Sequence, residues 1–378
     1  MKGLKGVLLT MAVVTIFTGC GKEEIEVSGT VVEDVVINTT VRTTGQYPEN
    51  IVVTLASAAD DSLTAADFSM KGHADSWMDT SLHDFSSEFE KVEVDGNTVT
   101  LYPKDFPEKF FYVQDFTVEC SKDAGLFFTY ENVSKVNTPV ADDFEDFTKA
   151  EGAGFDYHLF TPEQTENMPV VVVFHGFSDT DNLLTYRTAV EWAEPENQAV
   201  RPCYVIAPVV DDNTYYTAGG RDGVFKKLKE LLDQMIADGK VDPNRIYVMG
   251  NSFGGMSSIE FGEKYPDFVA GILALCPALN YSDGAVKNID KIKDIPIWIA
   301  QAIHDGTIPI EGNREAFKKL QEAGAKEAMF REYTDDEMNA VGGNPSNDST
   351  YSYHHVELAV MEDDAYMDWL YSKNLNQK

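Results

Sequence analysis

Cysteine is scarce in this chain: four in 378 residues, of which Cys120, Cys203 and Cys276 lie beyond the first twenty positions. An odd number at wide spacing excludes a complete disulfide framework and shows no metal-ligand spacing, so the three are expected as small buried core residues. Basic residues are also few, with 30 Lys and Arg against 63 Asp and Glu and a formal net charge of −33. A surface of that sign repels nucleic acid and anionic lipid and reads as a solvated acidic shell. The apolar run 7–17 is too short to span a bilayer comfortably, and no later apolar run is long enough to cross one.

What is present begins at the N-terminus. Lys2 and Lys5 precede the apolar run 7–17, which ends at Phe17-Thr18-Gly19-Cys20. This arrangement reads as an export signal. Its end resembles the lipobox of bacterial lipoproteins, which implies cleavage before Cys20 and lipidation of that cysteine. Residues 1–20 are then the signal and 21–26 a polar tether. The remaining chain is expected outside the cytoplasm, touching a membrane only through the lipidated N-terminus. About 350 mature residues exceed what one core usually holds, so two domains are expected.

The two parts differ in rhythm. Residues 27–143 carry short β-branched segments at 27–38, 50–56, 109–120 and 126–130. A hairpin signal spans 91–102, with Asp95-Gly96 at its turn. That pattern predicts an all-β, immunoglobulin-like sandwich. His73, Trp77 and His83 fall in one polar stretch and are expected at the surface. From residue 144 to 378, apolar strands alternate with amphipathic helices. The run 169–174 is apolar throughout, as in a strand buried on both faces. Further strands are expected at 203–208, 246–249, 269–275, 295–301 and 327–332, and helices at 221–237, 311–323 and 363–372. Strand and helix in alternation give an α/β domain with a doubly wound, mostly parallel sheet.

Within this second domain, Gly250-Asn251-Ser252-Phe253-Gly254 fits G-x-S-x-G between an apolar strand and a helix. The glycines are needed because a Cβ two residues either side of the serine would strike neighbouring backbone. A serine hydroxyl is a weak nucleophile and needs a base, itself oriented by an acid. On such a scaffold the chain order is serine, acid, histidine. Of the seven histidines only His304, His354 and His355 follow Ser252. Asp305 is the best acid, because it lies just past a strand at the carboxyl edge where α/β sheets build sites. His304 precedes it and is expected to line the site or cap the turn. That leaves His354 and His355 as candidate bases. Oxyanion donors are expected from the backbone N–H groups of Phe253 and Phe177. His175 reads as a structural residue of its turn. Tyr186, Trp192, Tyr215 and Tyr216 are candidate pocket walls or packing.

Together these residues resemble the α/β-hydrolase superfamily over nearly all of the second half. Within it, the likeness is to secreted esterases of the polyhydroxybutyrate-depolymerase, feruloyl-esterase and predicted-peptidase kind. The carrying stretches are 169–176, Ala207-Pro208, 241–255, Asp305-Gly306-Thr307-Ile308-Pro309, and His355 with Trp369-Leu370-Tyr371. The resemblance implies a triad of Ser252, Asp305 and His355, the last chosen over His354 by its spacing to the final helix. It also implies ester hydrolysis without a cofactor, on a small or polysaccharide-linked ester. A serine peptidase of the prolyl-oligopeptidase-like type is the alternative. A non-catalytic binding protein on the same scaffold is a second.

Overall fold

β-Branched residues at alternate positions build the first sheet. In β1 (Val32–Arg42) Val35 and Ile37 are buried, and in β2 (Gly45–Leu55) Ile51, Val53 and Leu55 are, while the intervening residues face outward. The computed structural model describes residues 30–75, 82–107, 109–150, 153–177, 183–215, 217–282, 284–343 and 353–377. The export signal, Cys20, the tether, Trp77 and Tyr216 lie outside the described residues.

The sheet continues with β3 (Phe68–Ala74), β4 (His83–Asp95), β5 (Thr98–Lys104), β6 (Val113–Cys120), β7 (Phe128–Thr129) and β8 (Val133–Asn137). Its spatial order is β7-β6-β3-β4-β5-β2-β1-β8, antiparallel except for β1 beside β8. An immunoglobulin-like sandwich would hydrogen-bond its strands in two separate sheets. Here β4 pairs with β3 through residues 83–87 and with β5 through residues 88–95, shifting register between Phe89 and Lys91. That one long strand joins both halves into a barrel-like sheet around a single core. The all-β character expected of this region is therefore present, but the immunoglobulin topology is not confirmed. Asp95 and Gly96 do turn the β4–β5 hairpin, with Gly96 at φ 60°.

A second sheet follows: β9 (Glu145–Phe147), β10 (Asp156–Phe160), β11 (Met168–Phe174), β12 (Tyr204–Val209), β13 (Val241–Asn251), β14 (Gly271–Leu275), β15 (Ile297–Ala302) and β16 (Ala328–Tyr333). Its order is β16-β15-β14-β13-β11-β12-β10-β9, and the six strands from β16 to β12 run parallel. Winding reverses at β11, which lies between β12 and β13. Ligand crevices of open α/β sheets form at such a reversal, beyond the carboxyl ends of the strands.

Burial on both faces explains the unbroken apolar run of β11. Val170, Val172 and Phe174 point into one core, beneath the helices Ala218–Ala237, Phe253–Lys264 and Ile310–Glu322. Val171 and Val173 point into the other, with Trp192, Val360, Met367 and Leu370. Trp192 is fully buried and its indole N–H reaches the Met249 sulphur at 3.0 Å, so it packs the core instead of lining a cleft. The three free cysteines are buried, as their scarcity suggested, and no described helix is long and apolar enough to cross a membrane.

One buried acid carries a pH signature. Glu263, on the helix Phe253–Lys264, is 9% exposed and its Oε1 has no partner among the described residues. Burial, with the nearby Glu260 charge, raises its pKa from 4.5 to about 8. Between those values the unfolded chain has released a proton that the folded chain keeps, so this group erodes stability as pH rises from 4.5 towards 8. Glu263→Gln is expected to remove that slope. Its urea midpoint should match the parent near pH 4.5 and exceed it at pH 8; a difference independent of pH would refute the assignment.

The two halves meet through a few named contacts. Arg187 bonds Glu191 and reaches both Thr43 Oγ1 (3.3 Å) in the first half and Glu362 (3.0 Å) in the second. Beside it, the Tyr186 ring lies 5.7 Å from Phe111 and under the Lys109 ammonium at 5.2 Å.

Candidate active site

Strand β13 delivers Ser252 to the carboxyl edge of the sheet, and the helix Phe253–Lys264 starts at the next residue. The turn between them is tight enough to force Ser252 to φ 53°, ψ −116°, a region costly for any residue with a side chain. Its N–H is held by the Leu275 carbonyl at 2.9 Å. The flanking glycines are steric requirements. A Cβ on Gly250 would sit 2.3 Å from the Phe174 carbonyl oxygen, and one on Gly254 only 2.0 Å from the same atom.

Asp305 follows β15 and is surrounded by donors. The Thr307 and Ile308 amides donate to Oδ1 at 2.9 Å, and Gln301 Nε2 to Oδ2 at 3.2 Å. Gln301 is itself fixed: it donates to the Ile308 carbonyl (2.7 Å) and accepts from Asn313 Nδ2 (2.6 Å), which also reaches the Pro277 carbonyl (3.0 Å). Neither Gln301 nor Asn313 figured in the expected site. A glutamine within an otherwise apolar strand, four residues before the acid, was the available signal, since buried polar groups need partners.

The histidine that Asp305 holds is His354. Its Nδ1 lies 3.0 Å from both carboxylate oxygens, and the pair is buried. His355, the residue favoured by spacing to the last helix, points elsewhere: its Nδ1 bonds Glu357 Oε1 at 2.8 Å. The choice of His355 is corrected on that geometry. Tyr353, at φ 59°, turns the chain just before the two histidines, and adjacent residues then project to different sides. Cys276 links the pieces. Its sulphur lies within 4.8 Å of the Asp305 and His354 ligand atoms and meets the backbone amides of Ser252 and Val356. Burial pushes its thiol pKa well up, so it stays protonated and inert.

The other sequence candidates separate clearly. His175 Nε2 accepts from the Val210 amide (2.9 Å) while Nδ1 meets the Gly176 carbonyl (2.6 Å), which fixes a neutral ring; burial lowers its pKa to about 4. It braces the turn that presents Phe177, whose ring lies 5.5 Å from that of Phe253. The Phe253 amide opens the helix behind Ser252, where the helix dipole favours negative charge. Tyr215 is buried and donates to the His175 carbonyl at 2.8 Å. His304 is exposed and pairs with Asp335 at 2.8 Å, away from Asp305. A small cavity next to Asn251 has His175, Tyr186, Thr188, His355 and Glu357 among its lining residues.

Residues 158–342 match the phospholipase/carboxylesterase family. A solved structure described as a thermostable esterase shares 25% identity and covers 91% of this chain and 100% of its own, with a TM-score of 0.70. The protein is a serine hydrolase that acts on ester bonds. The family match includes the hydrolase's Ser252 and Asp305 and stops before His354. Two shorter solved structures are also similar to the hydrolase. Est1E from Butyrivibrio proteoclasticus shares 15% identity over 60% of this chain and 97% of its own, TM-score 0.42. Thermogutta terrifontis esterase 2 shares 13% over 50% and 83%, TM-score 0.39. No curated protein matches the hydrolase.

Proposed function

We propose that this hydrolase cleaves carboxylic esters through an acyl-enzyme on Ser252, with His354 as base and Asp305 as its orienting acid. The observation that carries the reading is the bond from His354 Nδ1 to both Asp305 oxygens at 3.0 Å, beside a serine on a strained elbow. His354 takes the Ser252 proton as Oγ attacks the ester carbonyl, and the tetrahedral oxyanion rests on the Phe253 and Phe177 amides. His354 then returns the proton to the departing alcohol. A water, deprotonated by His354, attacks the acyl-enzyme; the bond to Ser252 Oγ breaks, His354 returns that proton to Oγ, and the carboxylic acid product departs. Asp305, fixed by three donors, holds the imidazole in the tautomer with its proton on Nδ1 and stabilises the cation formed in each step. Each oxyanion donor contributes about 3 kcal/mol to the transition state.

The pattern at residues 1–20 supports export and anchoring through Cys20, with the substrate met outside the cytoplasm. A fluorophosphonate probe tests the core of the reading: it is expected to label Ser252 in the intact protein, which then hydrolyses p-nitrophenyl butyrate. Absence of labelling would refute an assembled triad and leave a binding protein on this scaffold. Labelling with cleavage of peptide amides, and none of esters, would reassign the acyl transfer to a peptidase.

A further inference from the structure

The residue next to the proposed base forms a second acid–histidine pair. His355 Nδ1 bonds Glu357 Oε1 at 2.8 Å, and the His354 and His355 rings stand edge to face at 5.7 Å. Glu357 is 7% exposed, and its other oxygen, Oε2, has no hydrogen-bond partner among the described residues. Burial alone would raise this carboxyl, but the neighbouring His355 outweighs burial and holds it below the usual glutamate range. It is therefore a carboxylate, and a carboxylate only accepts. Leaving such an oxygen unmet inside a protein is costly, so its natural partner is a donor.

Glu357 and His355 line the small cavity next to Asn251, the residue preceding the proposed nucleophile. Its volume is about 20 Å3, room for one water-sized group. Its other polar walls are His175, Tyr186, Thr188 and Asn251. His355 already donates to Oε1, and a cavity of this size suits a small neutral donor better than a hydrated cation. An O–H group meets all three conditions of size, charge and donor character.

We infer that the His355–Glu357 pair forms a substrate subsite that receives a free hydroxyl carried close to the ester. The preferred substrates are hydroxylated esters, such as those of polyols or hydroxy acids, over simple alkyl esters. The inference rests on the ester-hydrolase reading above and adds to it the substrate class.

The test compares paired esters in the full-length protein. Glyceryl monobutyrate is set against propyl butyrate, ethyl 3-hydroxybutyrate against ethyl butyrate, and 2-aminoethyl butyrate is the cationic arm. Within one enzyme the ratio of kcat/KM in each pair cancels any general loss of activity. The parent is expected to favour at least one hydroxylated partner by about ten- to a hundredfold, the range of a hydrogen bond to a charged group. In Glu357→Gln and His355→Gln the preference should fall to within about threefold of unity. Equal ratios in parent and variants would overturn the subsite, as would a preference for the amino ester, which would assign the cavity to a cation. Failure to hydrolyse any ester, with no fluorophosphonate labelling of Ser252, would instead overturn the underlying reading and the subsite with it.

Discussion

His354→Ala is expected to lower kcat on p-nitrophenyl butyrate by about a hundred thousandfold, and Ser252→Ala by a similar factor. His355→Ala should cost far less, within about tenfold. The physical reason is that, among the described residues, the imidazole bonded to Asp305 is that of His354. On the proposed mechanism, losing His354 removes the base that takes the Ser252 proton and leaves the Asp305 carboxylate without the imidazole it bonds. His355 cannot substitute, because its Nδ1 is committed to Glu357. Losses in the Ser252 and His354 variants should not multiply when combined, since removing either already disables the unit. Asp305→Asn should sit between: the ring stays in place, but the amide favours the wrong tautomer and supplies no charge. Steady-state kinetics on the four variants decides the matter. If His355→Ala proves the severe variant and His354→Ala the mild one, the assignment is wrong.

Gly254→Ala is expected to be the most disruptive change in the fold for its size. Its added methyl would sit 2.0 Å from the Phe174 carbonyl oxygen, a backbone atom of the central strand β11. No rotamer relieves that contact, so either the helix Phe253–Lys264 or β11 must move. Overpacking against backbone at such a distance costs about 4 kcal/mol or more. A native domain holds only about 5–15 kcal/mol in total. The variant should therefore show a much lower urea midpoint, and whatever remains folded should have lost activity, because Ser252 and the Phe253 amide move with the helix. Gly312→Ala provides the contrast. That glycine lies inside the helix Ile310–Glu322, and a Cβ there meets nothing within 4 Å. It should stabilise the protein by about 0.5–1 kcal/mol. Equal urea midpoints for the two variants would show that the elbow tolerates a Cβ and that the steric account is mistaken.

Particular residues show why parts of this protein were legible before its structure and others were not. The run 169–174 gave away β11, because burial on both faces removes the need for polar residues. The elbow could be read because its constraint is local: a serine at positive φ and two glycines flanking it are all written within five positions. The choice between His354 and His355 was not local. It depends on which side of the turn at Tyr353 faces a carboxylate 49 positions earlier in the chain, and spacing along the sequence carries no record of that direction. The first domain shows the same limit. Alternation marked its strands, but the path of β4 between two neighbours is a matter of long-range pairing. Gln301 fell in between, visible as a polar residue in an apolar strand yet without a partner until Asp305 was in place, while Asn313, among charged helix residues, gave no such signal.

The grip of Phe111 and Lys109 on Tyr186 bears on how this enzyme can be altered. Tyr186 belongs to the wall of the cleft, while the residues clamping it belong to the other half of the chain. Cutting the gene between the halves would not release a portable catalyst; it would release one with an altered cleft. Conversely, selection for a new ester has a handle roughly 140 positions away in sequence from Ser252. Substitutions at Phe111 or Lys109 are expected to reshape what the enzyme accepts while Ser252, His354 and Asp305 are left untouched.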